Sequence, residues 1–86
     1  MSYSVDFTLE ALANQERLAQ AVQERIGNKI NWLAENFEQI TLMPLSANLA
    51  GFFKLRVGDY RVIYSFNEDL RVITIHQIGH RKEIYD

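Results

Sequence analysis

The chain has 86 residues, 48% of them hydrophobic, and a formal net charge of −2, which fits one small domain, residues 1–86, around a single core. It has no cysteine, excluding disulfides, zinc–thiolate sites, iron–sulfur clusters and thiol catalysis; with histidine only at 76 and 80, neither a histidine-built metal site nor any other cofactor is expected. Asp6 and Glu10 stand where a secretory leader needs basic and then apolar residues, and no apolar run approaches the ~18 residues of a membrane span, so the expected location is the cytoplasm, away from membranes.

Tyr3, Val5 and Phe7 alternate with Ser4, Asp6 and Thr8, the pattern of a half-buried strand. Thr8 is placed to cap a short helix over Leu9–Ala13, and Asn14 to break it and cap the next. From Gln15 to about Asn36 the residues Leu18, Val22, Ile26, Ile30, Leu33 and Phe37 recur at three- and four-residue steps, one apolar stripe on a long amphipathic helix. Gly27 within it costs ~1 kcal/mol relative to alanine and marks either a bend or a close backbone approach. Trp32 lies beside the stripe and reads as a core residue on the helix flank or a partner contact.

Glu38–Ala50 contains Pro44 and has no period. A connection this long in a compact domain is commonly functional or pinned by apolar anchors, here Leu42, Leu45 and Leu49. Three strands follow. Phe53, Leu55 and Val57 alternate with Phe52, Lys54 and Arg56; Gly58–Asp59 is a tight turn; Tyr60, Val62, Tyr64 and Phe66 alternate with Arg61, Ile63 and Ser65. After a turn at Asn67–Asp69, Val72–Ile78 is apolar on both faces apart from Thr74, His76 and Gln77, as in a central strand. Short turns imply an antiparallel meander. The order β-α-α-β-β-β gives an α+β fold: a small antiparallel sheet with two helices packed on one face. A chain this short buries only about 60–65% of its unfolded surface, so its stability is expected to be marginal and helped by a covering partner.

Charge is spread unevenly. Residues 1–50 carry three basic groups against six acidic ones, whereas residues 51–86 carry six against five and both histidines. A cationic surface is therefore expected only in the C-terminal part. If Phe53, Leu55 and Val57 face the helices, Lys54 and Arg56 face away, and Arg61 joins them from the next strand. Arg81, Lys82, His80 and Tyr85 follow the last strand. Arginines hold phosphate oxygens bidentately and stabilise charge as it builds, so such a face suits a phosphodiester. Tyr85 or His80 could transfer a proton or stack on a base. The same alternation also describes an ordinary solvated strand face. His76 reads as a strand residue with a satisfied hydrogen bond, and Tyr60 and Tyr64 as core aromatics.

The run Gly51-Phe52-Phe53-Lys54-Leu55-Arg56-Val57-Gly58-Asp59-Tyr60-Arg61-Val62-Ile63-Tyr64 resembles the strand pair of the RelE/ParE superfamily of toxins. Ile78-Gly79-His80-Arg81-Lys82-Glu83-Ile84-Tyr85 resembles that family's C-terminal signature, and Asn31-Trp32-Leu33-Ala34-Glu35-Asn36 resembles the helical part of its RelE branch. The resemblance implies a RelE-like domain and a toxin of a type II toxin–antitoxin pair. RelE-type members are ribosome-dependent, metal-independent endoribonucleases: in the ribosomal A site the messenger's 2′-hydroxyl attacks the adjacent phosphorus, and translation is inhibited.

The family's basic pair falls on Lys54 and Arg56, its third-strand arginine on Arg61, its post-sheet arginine on Arg81 and its late tyrosine on Tyr85. On that basis Lys54 and Arg56 would activate the nucleophile and neutralise the phosphorane, and Arg61 would hold the phosphate. Arg81 would assist the leaving oxygen, Tyr85 would orient the nucleotide or relay a proton, and His80 would be an alternative acid or base. Lys82 would join Lys54, Arg56 and Arg61 in holding RNA. Implied partners are a cognate antitoxin, the ribosome and its messenger RNA, and operator DNA only through the antitoxin. Two alternatives share the fold: a ParE-like inhibitor of DNA gyrase, and a catalytically inactive module that only binds an antitoxin.

Overall fold

The computed structural model describes residues 2–45 and 50–82. Leu49, Glu83 and Tyr85 lie outside them. In chain order the elements are β1 (Ser4–Phe7), α1 (Leu9–Glu16), α2 (Gln20–Glu35), a 3-10 turn (Phe37–Gln39), β2 (Phe53–Val57), β3 (Tyr60–Asn67) and β4 (Val72–His80). The expected α+β fold is present, with both helices packed against one four-stranded sheet in the order β1-β4-β3-β2. The sheet departs from expectation in one respect: β2, β3 and β4 form the antiparallel meander, but β1 pairs parallel with β4, Val5 opposite Ile73. The helical crossover returns the chain to the same sheet, and short-range turn signals say nothing about that pairing.

β4 is the central organiser. β1 covers its outer edge only over residues 72–75, and α1 takes over beyond that. The Thr8 amide donates to the Ile75 carbonyl at 3.0 Å. The Thr8 hydroxyl donates to the His76 carbonyl at 3.2 Å and accepts from the Ala11 amide at 3.1 Å. One side chain thus caps α1 and moors it to the sheet. Asn14, expected to end the helix, instead lies within α1, and its side-chain oxygen accepts from the Ile78 amide at 3.0 Å. An N–H on the stretch of β4 that β1 leaves uncovered is thereby satisfied by a helix side chain.

The boundary between the two expected helices consequently lies later than Asn14, at residues 17–19. α1 ends at Glu16, and α2 begins at Gln20 behind Ala19, which offers no side-chain cap. The turn between them is held by Arg17 and Leu18 amides on the Asn14 and Gln15 carbonyls and by Gln23 Nε2 on the Leu18 carbonyl at 2.8 Å. Leu18 still packs on the core, so the apolar stripe runs unbroken through a break in the backbone. Asn36 closes α2, its amide and its side chain both donating to the Trp32 carbonyl.

The stripe's Ile26, Ile30, Leu33 and Phe37 are buried against Leu55, Val57, Val62, Tyr64, Ile73, Ile75 and Ile78. The connection after α2 wraps the open edge of β2. Ile40 and Leu42 pack on this core, the Met43 carbonyl accepts from the Lys54 amide at 2.9 Å, and the Leu45 amide donates to the Phe52 carbonyl at 3.0 Å. Leu45 then reaches the opposite face, where it forms a small second cluster with Ile63 and Phe52. Leu42 and Leu45 are therefore anchors as expected, one on each side of the sheet.

No backbone approaches Gly27: a methyl group there would meet nothing within 4 Å. Its cost in α2 is thus an uncompensated loss of chain entropy. Gly27→Ala is expected to stabilise the domain by about 0.4–1 kcal/mol, read as a rise of several degrees in thermal midpoint. An unchanged or lower midpoint would contradict this reading of the site.

Candidate functional site

Register places the cations. Arg56 stands directly opposite Arg61, and Lys54 opposite Ile63, all facing away from the helices. Like charges opposed across an antiparallel pair are destabilising, so this arrangement is costly for a plain solvated face. Lys54 records it. Its ammonium is held below the usual lysine value of 10.5, first by partial burial and then by repulsion from Arg56 and Arg61. Gly79 of β4 lies across from Arg61 on its other side, and Arg61 is half-buried with its Nε shielded from solvent.

Arg81 joins this end of the sheet through its backbone, whose amide donates to the Asp59 carbonyl of the β2–β3 turn at 2.7 Å. Gly58 in that turn has φ +60°, a conformation suited to glycine. Arg81 Nε lies 3.9 Å from Asp59 Oδ1 with both side chains largely exposed, a long surface contact that leaves the guanidinium accessible. Lys82 is exposed, and its amide donates to His80 Nδ1 at 3.2 Å.

His80 itself is placed differently. It pairs with Tyr60, their rings 5.5 Å apart and nearly perpendicular, and Tyr60 packs on the main core. His80 is thus on the helix side of the sheet, the face opposite to that of Arg61. Of the expected set, Lys54, Arg56 and Arg61 come together on one face, Arg81 and Lys82 flank its end, His80 faces the other way, and Tyr85 is outside the described residues.

An open groove of about 450 Å³ runs along β2 toward α2, bordered by Lys54 and Arg56 from the sheet and by Lys29, Trp32 and Met43 from the other side. Trp32 is 43% exposed, with Lys29 Nζ 3.9 Å from its ring centre, so it is not a core residue. Tyr64 lies at the base of the groove, but burial pushes its phenol up to about 12, which keeps it protonated. Among the described residues, no group of three or more histidine, aspartate or glutamate side chains is arranged to hold a metal ion.

His76 is a strand residue with a satisfied hydrogen bond, as expected, but its partners and the bulge beside it were not anticipated. His76 occupies a bulge in β4, where the register with β3 shifts between Ile63 and Tyr64. Its Nε2 lies 2.7 Å from Ser65 Oγ, and its ring meets Phe52 edge-on at 4.9 Å. A signal existed in the spacing: the buried positions Ile73, Ile75 and Ile78 step by two and then by three, and the odd step marks an inserted residue.

The model of the ParE toxin of type II toxin–antitoxin systems (parDE) matches residues 5–85. The chain belongs to this family, within the RelE/ParE superfamily of type II toxins. Toxin RelG of Mycobacterium tuberculosis is 38% identical over 42 residues, 49% of this chain, and the match spans only 48% of that protein. Among solved structures, the toxin–antitoxin complex RelBE2 of Mycobacterium tuberculosis matches with a TM-score of 0.85 at 26% identity, covering 94% of this chain and 93% of that one. The archaeal RelE–RelB complex of Pyrococcus horikoshii matches with a TM-score of 0.75 at 25% identity, covering 98% and 100%.

If Arg56 and Arg61 repel the Lys54 ammonium, removing either positive charge should raise the Lys54 pKa toward 10.5. Arg56→Gln and Arg61→Gln, followed by NMR titration of the Lys54 side chain, should each show an upward shift. A Lys54 value indifferent to both would show that the three cations do not share a field.

Proposed function

We propose that this chain is the toxin of a type II pair and acts as a ribosome-dependent, metal-independent endoribonuclease on messenger RNA. One observation carries the reading: Lys54, Arg56 and Arg61 converge on one sheet face of a toxin-family chain, with Arg81 at its end. The reaction needs no more than charge and proton management. The 2′-oxygen forms a bond to phosphorus, the bond from phosphorus to the 5′-oxygen breaks, and the products are a 2′,3′-cyclic phosphate and a 5′-hydroxyl.

The nucleophile must lose a proton and the leaving oxygen must gain one. Lys54, with its lowered pKa, is the described residue best suited to proton transfer, because the arginines stay charged. Arg56 would neutralise the phosphorane and Arg61 would hold the phosphate bidentately. Arg81, exposed at the hairpin end, would assist the leaving oxygen, with Tyr85 orienting the nucleotide and Lys82 adding to RNA binding. His80, on the other face, is assigned no proton in this scheme. The cognate antitoxin would neutralise the toxin by covering this surface, and operator DNA would be bound only through the antitoxin.

The matching family model is that of ParE toxins, which supports a second reading, inhibition of DNA gyrase. The basic set favours the ribonuclease, since gyrase-directed relatives are expected to lack it. Expression without antitoxin, with growth and primer extension followed for wild type and Arg81→Ala, separates them. Growth arrest with new message ends, both reduced about 10²–10³-fold in Arg81→Ala as for loss of an oxyanion-stabilising donor, is the expected outcome. Arrest with intact messages would point to gyrase, and soluble protein without arrest to an inactive antitoxin-binding module.

A further inference from the structure

The cationic cluster occupies only one end of the outer sheet face. Toward the other end the surface changes character. Ile63, opposite Lys54, leads into a patch formed by Phe52, Ser65 and His76. All three of these side chains are partly exposed. The patch is held firmly. The His76 carbonyl accepts the Thr8 hydroxyl from α1, Ser65 engages Nε2 at 2.7 Å, and Phe52 is packed with Ile63 and Leu45 while meeting the imidazole edge-on. His76 faces this side as the residue after the buried Ile75, and the bulge that follows it returns Ile78 to the core.

The four residue steps from Arg61 to Ser65 span ~13 Å of strand. A phosphate held at Arg61 would therefore leave a neighbouring nucleotide of the same strand over the patch. The chemistry there suits a base and not a phosphate: two aromatic rings offer a stacking surface, and a serine–imidazole pair offers polar atoms to a base edge. Ser65 is the one hydrogen-bond partner of the His76 ring among the described residues, which leaves Nδ1 as its remaining polar atom.

We propose that Phe52, Ser65 and His76 form a base-contact subsite, and that His76 determines which base is accepted beside the cut phosphate. This rests on the ribonuclease reading and deepens it. Phe52 supplies stacking area, Ser65 orients the imidazole, and the imidazole reads the base edge. The patch selects, and the cations carry out the chemistry.

The test maps new 5′-hydroxyl message ends after expression of wild type, His76→Gln, Phe52→Leu and Arg61→Ala, with solubility and circular dichroism confirming that each chain folds. Wild type should show a base preference next to the cut. His76→Gln and Phe52→Leu should still cut, with use of the preferred base falling about 5- to 100-fold, the range of a lost stacking or polar base contact, so that the distribution flattens. Arg61→Ala should lose cutting at all sites together. An unchanged preference in both patch variants would overturn the subsite and leave the ribonuclease standing, as would even use of all bases by wild type. Loss of all cutting in both folded patch variants would overturn it too, because selection and not chemistry is assigned to them. Intact messages under wild-type growth arrest would overturn the ribonuclease reading and the subsite with it.

Discussion

The pairing of β2 with β3 is the constraint on which the candidate site depends. Side chains alternate along a strand, so a slip of one residue would exchange the faces, sending Lys54, Arg56 and Arg61 into the core and Leu55, Val57 and Val62 into water. The apolar set prevents that slip: Val62 is fully buried and Val57 nearly so beneath α2. The tight turn at Gly58 fixes the hairpin end of the register. Burial on one face thus holds three like charges together on the other. The opposition of Arg56 and Arg61, unfavourable by itself, is carried by the core behind it.

β4 does the same for the remaining elements. It receives β1 in parallel, β3 antiparallel, and α1 along the stretch that β1 leaves uncovered, through Thr8 and Asn14. The bulge at His76 gives the one strand two jobs. Ile73 and Ile75 face the core on one side of it, Ile78 faces the core on the other, and the inserted residue is left to the outer surface. The last residues of β4 then deliver the Arg81 backbone to the β2–β3 turn. Fold and site are in this sense one arrangement, with the sheet's inner face supplying rigidity and its outer face supplying charge.

Much of this was legible in the amino-acid sequence because period-two alternation is strong from Phe53 to Phe66, so the inward residues and the three outward cations could be read without a structure. The apolar stripe from Leu18 to Phe37 was legible too, but the backbone break within it was not: Ala19 is no capping residue, and the turn is held by backbone bonds and Gln23. Asn14 was misjudged because its partner, the Ile78 amide, is 64 residues away, and a local capping rule cannot see it. The parallel β1–β4 pair is likewise a product of tertiary return. Of the two readings of Trp32, core flank or partner contact, the first fails: its indole is exposed at the groove with Lys29 upon it. His80 directly precedes the basic pair Arg81–Lys82 in sequence, but alternation through Gly79 turns it to Tyr60 and away from Arg61.

The central claim, attack by the messenger's own 2′-hydroxyl under the control of this face, is tested most directly on purified ribosomes. These would be programmed with a message whose A-site codon carries either ordinary ribose or a single 2′-deoxy nucleotide at the cut position. Added toxin should cut the ribose message and leave the 2′-deoxy message intact, because the nucleophile is absent. Cutting of both messages would contradict internal attack, and cutting of neither would contradict the ribonuclease assignment.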